Sequence, residues 1–218
     1  AMDLPGHGFT DKPGMRRLSL PAMARSLGCE AVDLGICRDE VAALLESVRL
    51  GLRSDVLILS GGVSAGVLDL VPTVFQEAGI QQVFHKVRLK PGKPMWFGVG
   101  QSGGHKTLVF GLPGNPVGSL VCFELFVRAV VRRMRGVEPA NEPLVPGQLA
   151  REHYQVGDRP TYFPAIAQPL SHGSLQVTTV AWQGSADQSS VAAANCLAFF
   201  PPGDHAYQAG DAVLIRWL

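Results

Sequence analysis

Long apolar stretches are missing from the sequence, and no run approaches the ~20 residues that a membrane-spanning helix requires. Cysteine is scarce, at 4 of 218 residues, and no two cysteines form a C-x-x-C pair, which disfavours a zinc site. An excess of charge is also lacking, because the formal net charge is +1, so no overall field attracts nucleic acid or a membrane surface. These absences predict a protein with neither nucleic-acid nor membrane partners.

The remaining composition is typical of a globular protein. Hydrophobic residues make up 46% and charged residues 17%, which is too apolar for an intrinsically disordered chain. Gly and Pro are frequent, at 25 and 16 residues, and predict many sharp turns. The scattered cysteines are expected to be buried or free thiols, which indicates a reducing compartment and a cytoplasmic location. They are Cys29, Cys37, Cys122 and Cys196.

Two regions with different patterns follow one another along the chain. Residues 1–18 lack periodicity and are predicted to be an irregular lead-in, and from there to Gly136 short apolar strands alternate with helical patterns. Residues 55–60 are apolar almost throughout, as expected of a parallel strand that is covered on both faces. We therefore predict an α/β domain over residues 1–136, a three-layer arrangement with helices on both faces of the sheet.

The pattern changes after Gly136. Residues 137–147 contain three prolines and are predicted to be a linker. Beyond them, short apolar segments are separated by Gly, Pro, Asp and Ser. This spacing predicts a small all-β domain over residues 148–218.

One glycine pattern is expected to be structural. Gly98, Gly100 and Gly103 form a literal G-x-G-x-x-G, but a dinucleotide site needs that pattern between a strand and a helix. Here strand-forming residues continue on both sides, over 95–99 and 107–110. The pattern is therefore predicted to be the turn of a β-hairpin.

A second glycine pattern follows the apolar strand. Gly62, Ser64 and Gly66 form G-x-S-x-G, which could be the nucleophile elbow of a serine hydrolase. An elbow needs a helix immediately after the serine, whereas the next helical pattern begins near Pro72. A glycine-rich loop that binds a phosphate through its N–H groups is the alternative. Asp69, just beyond, could hold a hydrated Mg²⁺ or cap the following helix.

Two further loops favour anions. Lys90-Pro-Gly-Lys93-Pro94 holds two ammonium groups on a stiff turn. Gly111-Leu-Pro-Gly-Asn-Pro116 joins a strand to a helix, with Asn115 suited to the N-cap and Pro116 to the first turn. Three such loops in one sheet favour a phosphorylated small molecule at the carboxyl edge.

Together these loops resemble the molybdopterin molybdenumtransferases, the MoeA and gephyrin E-domain family. The resemblance covers roughly residues 18–136, and the all-β region resembles the family's C-terminal β-barrel domain more weakly. It is carried by the order and spacing of Gly61-Gly62-Val63-Ser64-x-Gly66-x-x-Asp69, Lys90-Pro91-Gly92-Lys93-Pro94 and Gly111-Leu112-Pro113-Gly114-Asn115-Pro116-Val117. The family's Thr-Gly-Asp-Glu string and its two N-terminal domains are absent, so the resemblance implies a C-terminal fragment or a degenerate member of the family. Gly118 also stands where the family usually has a serine.

The resemblance implies a reaction and a set of site residues. The family places molybdate on the dithiolene sulfurs of adenylylated molybdopterin and releases AMP with the help of Mg²⁺. By position, Asp69 would be the catalytic, metal-linked carboxylate, and Lys90 and Lys93 would stabilise negative charge. Ser185 would contact the ligand across a homodimer. The substrate would bind to the glycine loop and to a floor beneath it, formed by Gly61, Gly62, Ser64, Gly66, Pro113, Gly114, Asn115 and Pro116.

Two other functions stay open at this stage. The chain could be a non-catalytic module of the same fold that binds molybdopterin or a nucleotide or acts as a scaffold. It could also be a serine hydrolase that uses Ser64. Release of AMP separates the first alternative from the enzyme, and reaction with a fluorophosphonate separates the second.

Overall fold

A computed structural model describes residues 2–3, 19–63, 70–171, 173–181 and 188–218 of the chain. The chain forms two compact units. The first comprises Ala1–Val87 and Gly92–Arg128, and the second comprises Arg88–Pro91 and Ala129–Leu218. A four-residue segment thus leaves the first unit and joins the second.

The first unit is built on a six-stranded sheet. Its strands are β1 (Met2–Asp3), β2 (Gly35–Ile36), β3 (Val56–Ser60), β4 (Gln81–His85), β5 (Trp96–Ser102) and β6 (His105–Leu112). Its helices are α1 (Leu20–Ser26), α2 (Val41–Gly51), α3 (Val71–Glu77) and α4 (Pro116–Cys122), and a π-helical turn (Phe123–Val127) leads into α5 (Arg128–Met134). The strand order is β2-β1-β3-β6-β5-β4. The first four are parallel, whereas β5 and β4 run antiparallel to their neighbours.

Strand β1 corrects the prediction of an irregular lead-in at two residues. Met2 pairs with Gly35 on one side and with Leu59 on the other, so β1 lies between β2 and β3. A strand of two residues is too short to produce an apolar alternation, which explains why no pattern announced it. Residues 4–18 lie outside the described part of the chain.

Helices cover both faces of the sheet, as predicted. Because successive side chains in a strand point to opposite faces, Val109 and Phe110 of β6 pack in different layers. Val109 is buried with residues of α2 and α3, among them Val48 and Phe75. Phe110 contacts Phe97 at a ring distance of 4.8 Å on the other face. There Phe84 of β4 also contacts Phe126 of the π-helical turn, at 6.4 Å. The three-layer arrangement is confirmed.

The predicted hairpin is also confirmed. Strands β5 and β6 pair antiparallel and close at Ser102 and His105. Two glycines of the G-x-G-x-x-G pattern make room for packing, because a Cβ atom on Gly98 would lie 2.3 Å from the Trp96 ring and one on Gly100 would lie 2.3 Å from Leu52 Cδ2. A strand, β6, and not a helix follows these glycines, so they do not form a dinucleotide loop.

The second unit contains a closed five-stranded barrel, as the resemblance implies. The barrel order is β10-β7-β13-β11-β9, and β12 pairs with β8 in a separate ribbon. The strands are β7 (Val145–Leu149), β8 (His153–Gln155), β9 (Thr161–Pro169), β10 (Leu175–Thr179), β11 (Cys196–Phe200), β12 (His205–Tyr207) and β13 (Ala212–Trp217), with a short helix α6 (Gln188–Ala193) before β11. Its core holds small and apolar side chains such as Ala165, Val177 and Ile215. No helix within the described ranges is both long and apolar enough to cross a membrane.

The segment that was predicted as a linker contacts helix α5. Arg132 Nη1 lies 2.6 Å from Glu142 Oε1, and Arg133 pairs with Glu138. Strand β7 begins at Val145, inside the range 137–147. The division of the sequence into 1–136, 137–147 and 148–218 stays a prediction.

Candidate functional site

Two of the predicted loops leave the sheet side by side. Strands β3 and β6 are parallel neighbours, and Ser60 at the end of β3 pairs with Leu112 at the end of β6. The Gly61 N–H donates to the Leu112 carbonyl at 3.0 Å. The structure therefore brings Gly61 and Gly62 to the same sheet edge as Pro113 and the residues after it. In open α/β sheets this carboxyl edge is where ligands bind.

The first loop has a backbone that only glycine adopts easily. Gly61 and Gly62 have φ angles of +94° and +63°, and a side chain in this left-handed region costs roughly 1–2 kcal/mol per residue. The next residue, Val63, is buried. Its carbonyl oxygen lies 3.0 Å from Nε2 of His85, at the end of β4. Strand β4 thus fixes the start of the glycine loop from the side.

The second loop is capped as predicted. Asn115 is the N-cap of α4, and its Oδ1 accepts from the Gly118 N–H at 3.2 Å. Pro116 occupies the first helical turn, which requires no N–H donor there. A Cβ atom on Gly118 would lie 3.2 Å from Pro113 Cβ. The glycine at position 118 therefore lets the helix approach Pro113 closely.

Two serines lie beneath both loops, and no sequence motif indicated them. Ser60 Oγ and Ser119 Oγ are 3.0 Å apart. Each also lies near the Pro113 carbonyl oxygen, Ser119 at 2.6 Å and Ser60 at 3.3 Å. Their proximity depends on the folded structure, because Ser60 ends strand β3 and Ser119 lies in helix α4, 59 residues later in the chain.

Lys93 lies on a turn that backbone hydrogen bonds close. The Val87 N–H donates to the Lys93 carbonyl at 2.9 Å, and the Met95 N–H donates to the Gly92 carbonyl at 3.1 Å. The buried thiol of Cys122 contacts the Gly92 carbonyl as well, with Sγ at 3.6 Å. The Lys93 side chain is exposed and forms no salt bridge within the described ranges. Its ammonium group is therefore held on an ordered turn without a protein counter-ion there.

Lys90 belongs to the second unit. Its N–H donates to the Pro160 carbonyl at 3.0 Å, and its own carbonyl accepts from the Tyr162 N–H at 2.9 Å. Arg159 Nη1 donates to the carbonyl of the preceding residue, Leu89, at 3.1 Å. The two lysines of the predicted anion loop are thus built into different units. Sequence spacing alone could not reveal this.

Four predicted site residues lie outside the described residues, namely Ser64, Gly66, Asp69 and Ser185. The first described helix after the glycine loop is α3, and its N-cap position is Leu70, without a side-chain cap. Their predicted roles in catalysis, binding and metal coordination therefore stay predictions.

Among the described residues, no group of His, Cys, Asp or Glu side chains is arranged to hold a metal ion. The one buried carboxylate of the π-helical turn, Glu124, is already paired with Arg128, whose Nε lies 2.5 Å from Oε2. A Mg²⁺ ligand set is therefore not provided by this part of the chain. The groups that it offers are backbone N–H groups and a lysine ammonium, which are suited to an anion.

The cysteines are free thiols, as predicted. Cys37, Cys122 and Cys196 are buried, and Cys29 is half-buried. Burial raises the pKa of the Cys122 thiol well above its usual range. The buried thiol of Cys122 is therefore unreactive in the native protein and is not a nucleophile candidate.

Comparison with protein families finds two matching regions. Residues 17–133 match the family described as "Probable molybdopterin binding domain", and residues 146–217 match "MoeA C-terminal region (domain IV)". The first match includes the ends of β3 and β6 and Lys93. The second includes all the strands of the barrel except the first residue of β7.

Two curated relatives have the same name. The chain is 29% identical over 212 residues to the molybdopterin molybdenumtransferase of Bacillus subtilis, covering 94% of this chain and 47% of that protein. It is 30% identical over 203 residues to the protein of the same name from Haemophilus influenzae, covering 92% and 49%. The chain therefore spans about half the length of the curated relatives it matches.

A solved structure shares the fold. The molybdopterin biosynthesis MoeA protein of Pyrococcus horikoshii superimposes with a TM-score of 0.74 at 24% identity, over 99% of this chain and 53% of that one. This likeness concerns the fold alone, because the identity is low. The family match extends over more than half of the residues and includes both loops of the sheet edge. The chain belongs to the probable molybdopterin binding domain family.

Proposed function

We propose that this chain forms the substrate-binding part of a molybdopterin molybdenumtransferase, an enzyme of molybdenum cofactor biosynthesis. The substrates are adenylylated molybdopterin and molybdate. Water splits the phosphoanhydride, so that the pterin keeps one phosphate and AMP leaves with the other. Two Mo–S bonds form as the two thiols of the dithiolene bind molybdate, and one oxide of molybdate leaves as water with the two thiol protons. The names of the relatives and the order of the two family matches support this reaction.

The paired ends of β3 and β6 carry the proposal. The register of Ser60 with Leu112 places a glycine loop and a Pro-Gly-Asn-Pro loop at one edge. Gly61, Gly62 and Gly114 have no side chains, so a phosphate can approach their backbone closely. N–H groups that converge on such an edge stabilise an anion. We assign Pro113, Asn115 and Pro116 the role of shaping the floor of this site.

Lys93 supplies the positive charge in this scheme. Its ammonium is a compact, mobile point charge on an ordered turn. As the phosphoanhydride breaks, negative charge grows on the leaving AMP, and a nearby cation stabilises it. We assign Lys90 the same type of role on the resemblance alone.

The remaining parts of the proposal also rest on the resemblance. Asp69 is the proposed Mg²⁺ ligand, and Mg²⁺ would neutralise phosphate charge. Ser64 and Gly66 complete the glycine loop, and Ser185 contacts the ligand across a homodimer of the whole protein. We place the enzyme in the cytoplasm. The cysteines of this chain are free thiols, and the reducing cytosol keeps such thiols, and the sulfurs of the dithiolene, in the reduced form.

The test is release of AMP from adenylylated molybdopterin in the presence of molybdate, measured with the whole protein, alongside calorimetric binding to this chain. Lys93→Ala should weaken binding by ~1.5–3 kcal/mol, the range for a hydrogen bond to a charged group. Lys106→Ala is the matched control, because Lys106 is also an exposed lysine but lies at the opposite end of β6. Equal affinity of the two variants would contradict the placement of the ligand.

The same assay separates the alternatives. Binding of the adenylylated pterin without AMP release by the whole protein would indicate a non-catalytic binding module. Labelling of Ser64 by a fluorophosphonate would indicate a hydrolase, a hypothesis that the two family matches disfavour.

A further inference from the structure

A triangle of oxygen atoms lies beneath the two loops. It consists of Ser60 Oγ, Ser119 Oγ and the Pro113 carbonyl oxygen, with distances of 3.0, 2.6 and 3.3 Å along its sides. Ser60 is 8% exposed and Ser119 is 1% exposed, so water does not substitute for these contacts. A buried hydroxyl that loses its partner costs ~1–3 kcal/mol. The triangle is therefore a fixed element of the fold.

The number of available protons decides which two of the three contacts are hydrogen bonds. Each serine hydroxyl has one proton to donate, and the carbonyl has none. Three contacts thus share two protons. The shortest contact assigns the Ser119 proton to the Pro113 carbonyl, and the Ser60 proton then goes to Ser119 Oγ. In this arrangement Ser119 holds the Pro113 carbonyl directly, and Ser60 acts through Ser119.

The orientation of the Pro113 carbonyl sets the direction of the next N–H. The Pro113–Gly114 peptide bond is not among the cis bonds of the described chain, and in a planar trans peptide the C=O and N–H vectors point in opposite directions. Because the carbonyl points to the buried hydroxyls, the Gly114 N–H points away from them. Gly114 is partly exposed, and no described residue accepts from its N–H. A donor is thus aimed outward at the carboxyl edge.

We propose that Ser119, supported by Ser60, is a positioning residue that orients the Gly114 N–H toward the phosphate of the bound pterin. This inference rests on the proposed function, because it names a further determinant of the same site. Ser119 does not touch the ligand. It acts through the Pro113–Gly114 peptide plane, which would turn more freely without it.

The experiment compares substitutions by calorimetric titration of this chain with adenylylated molybdopterin. Ser119→Ala should raise Kd about tenfold, which corresponds to about 1.4 kcal/mol. Ser60→Ala should raise Kd less than about threefold, since the Ser119 bond to Pro113 survives. Ser119→Thr keeps the hydroxyl and should bind within about threefold of the unmutated chain.

The matched control is Thr107→Val. Thr107 is fully buried in β6, the strand that leads to Pro113, and its Oγ1 donates to the Ser54 carbonyl at 2.7 Å, near the end of β6 that is far from Pro113. This variant should lower the melting temperature and leave Kd unchanged. In addition, the amide resonance of Gly114 should shift on titration of the unmutated chain and shift less in Ser119→Ala.

The outcomes are distinguishable. A Ser119→Ala variant that melts earlier but binds as tightly as the unmutated chain would overturn the positioning role. A Gly114 amide resonance that does not shift when the unmutated chain is titrated would also overturn it. This measurement does not depend on whether Ser119→Thr folds. An unmutated chain that binds no adenylylated molybdopterin would instead overturn the proposed function, and the inference with it.

Discussion

Gly111 is the position at which an added methyl group should disturb the candidate site most specifically. It lies in β6, next to the loop ends, and a Cβ atom there would lie 2.6 Å from Val63 Cγ1 and 3.2 Å from Trp96 Cβ. Neither neighbour can yield easily. Val63 is β-branched and stiff at χ1, and its carbonyl is 3.0 Å from the His85 ring. Trp96 Cβ is fixed to the backbone of β5.

The magnitudes follow from the packing. Gly111→Ala should destabilise the first unit by ~1–3 kcal/mol, the usual cost of overpacking a core. Val63→Ala removes two buried methyl groups, each of which stabilises the fold by ~0.8 kcal/mol. With the cost of the cavity that remains, this variant should be less stable by about 2 kcal/mol. In the double variant the new Cβ fills space that Val63 Cγ1 vacated. The double variant should therefore be more stable than the sum of the single effects predicts, by ~1 kcal/mol or more.

The assay is urea unfolding followed by the fluorescence of Trp96, which is buried. All variants carry Trp182→Phe and Trp217→Phe, so that Trp96 is the tryptophan that reports unfolding. Gly100→Ala is the control, because its Cβ would meet Leu52 Cδ2 at 2.3 Å and not Val63. Its effect should add to that of Val63→Ala. If Gly111→Ala and Val63→Ala are also additive within ~0.5 kcal/mol, Val63 is not what excludes a side chain at Gly111, and the reasoning is wrong.

Three other predictions concern charge and protonation. In the whole protein, Asp69→Asn should lower kcat by ~100-fold or more while the adenylylated pterin still binds; an unchanged kcat with a lower melting temperature would indicate a helix cap instead. Burial raises the pKa of Cys196 to about 12, so iodoacetamide at pH 8 should modify Cys29 first and Cys196 only after unfolding. Burial lowers the pKa of His153, whose ring stacks on Phe200 at 4.0 Å. Since the unfolded chain, with a His pKa of about 6.5, then binds more protons, the stability of the second unit should decline as pH falls below about 6.5. The urea midpoint of His153→Phe should depend less on pH in that range.

The loops of the candidate site could be predicted because their residues carry local signals. Asn115 and Pro116 are typical of a helix start, and consecutive glycines at 61 and 62 are typical of left-handed backbone. The apolar run before Gly61 indicated a strand covered on both faces. Each of these signals lies within a few residues of the feature that it predicts.

The supporting contacts could not be predicted, because they depend on which strands become neighbours. Ser60 and Ser119 are 59 residues apart, and they meet only because β3 and β6 pair in parallel. The short strand β1 carries no alternation and is recognised by its partners alone. Lys90 looked equivalent to Lys93 in the sequence, yet its backbone pairs with residues near Thr161.

The segment Arg88–Pro91 has a consequence for the order in which the protein is made. Its hydrogen-bond partners lie 70 residues later in the chain, as Arg88 bonds to Asp158 and Leu89 to Arg159. At a synthesis rate of about 5–20 residues per second, those partners leave the ribosome on the order of ten seconds after the segment does. During that interval the N–H and carbonyl groups of Lys90 form hydrogen bonds with water. A gene shortened to end at residue 136 would make that state permanent, so Lys90 would lose the backbone bonds that now hold it.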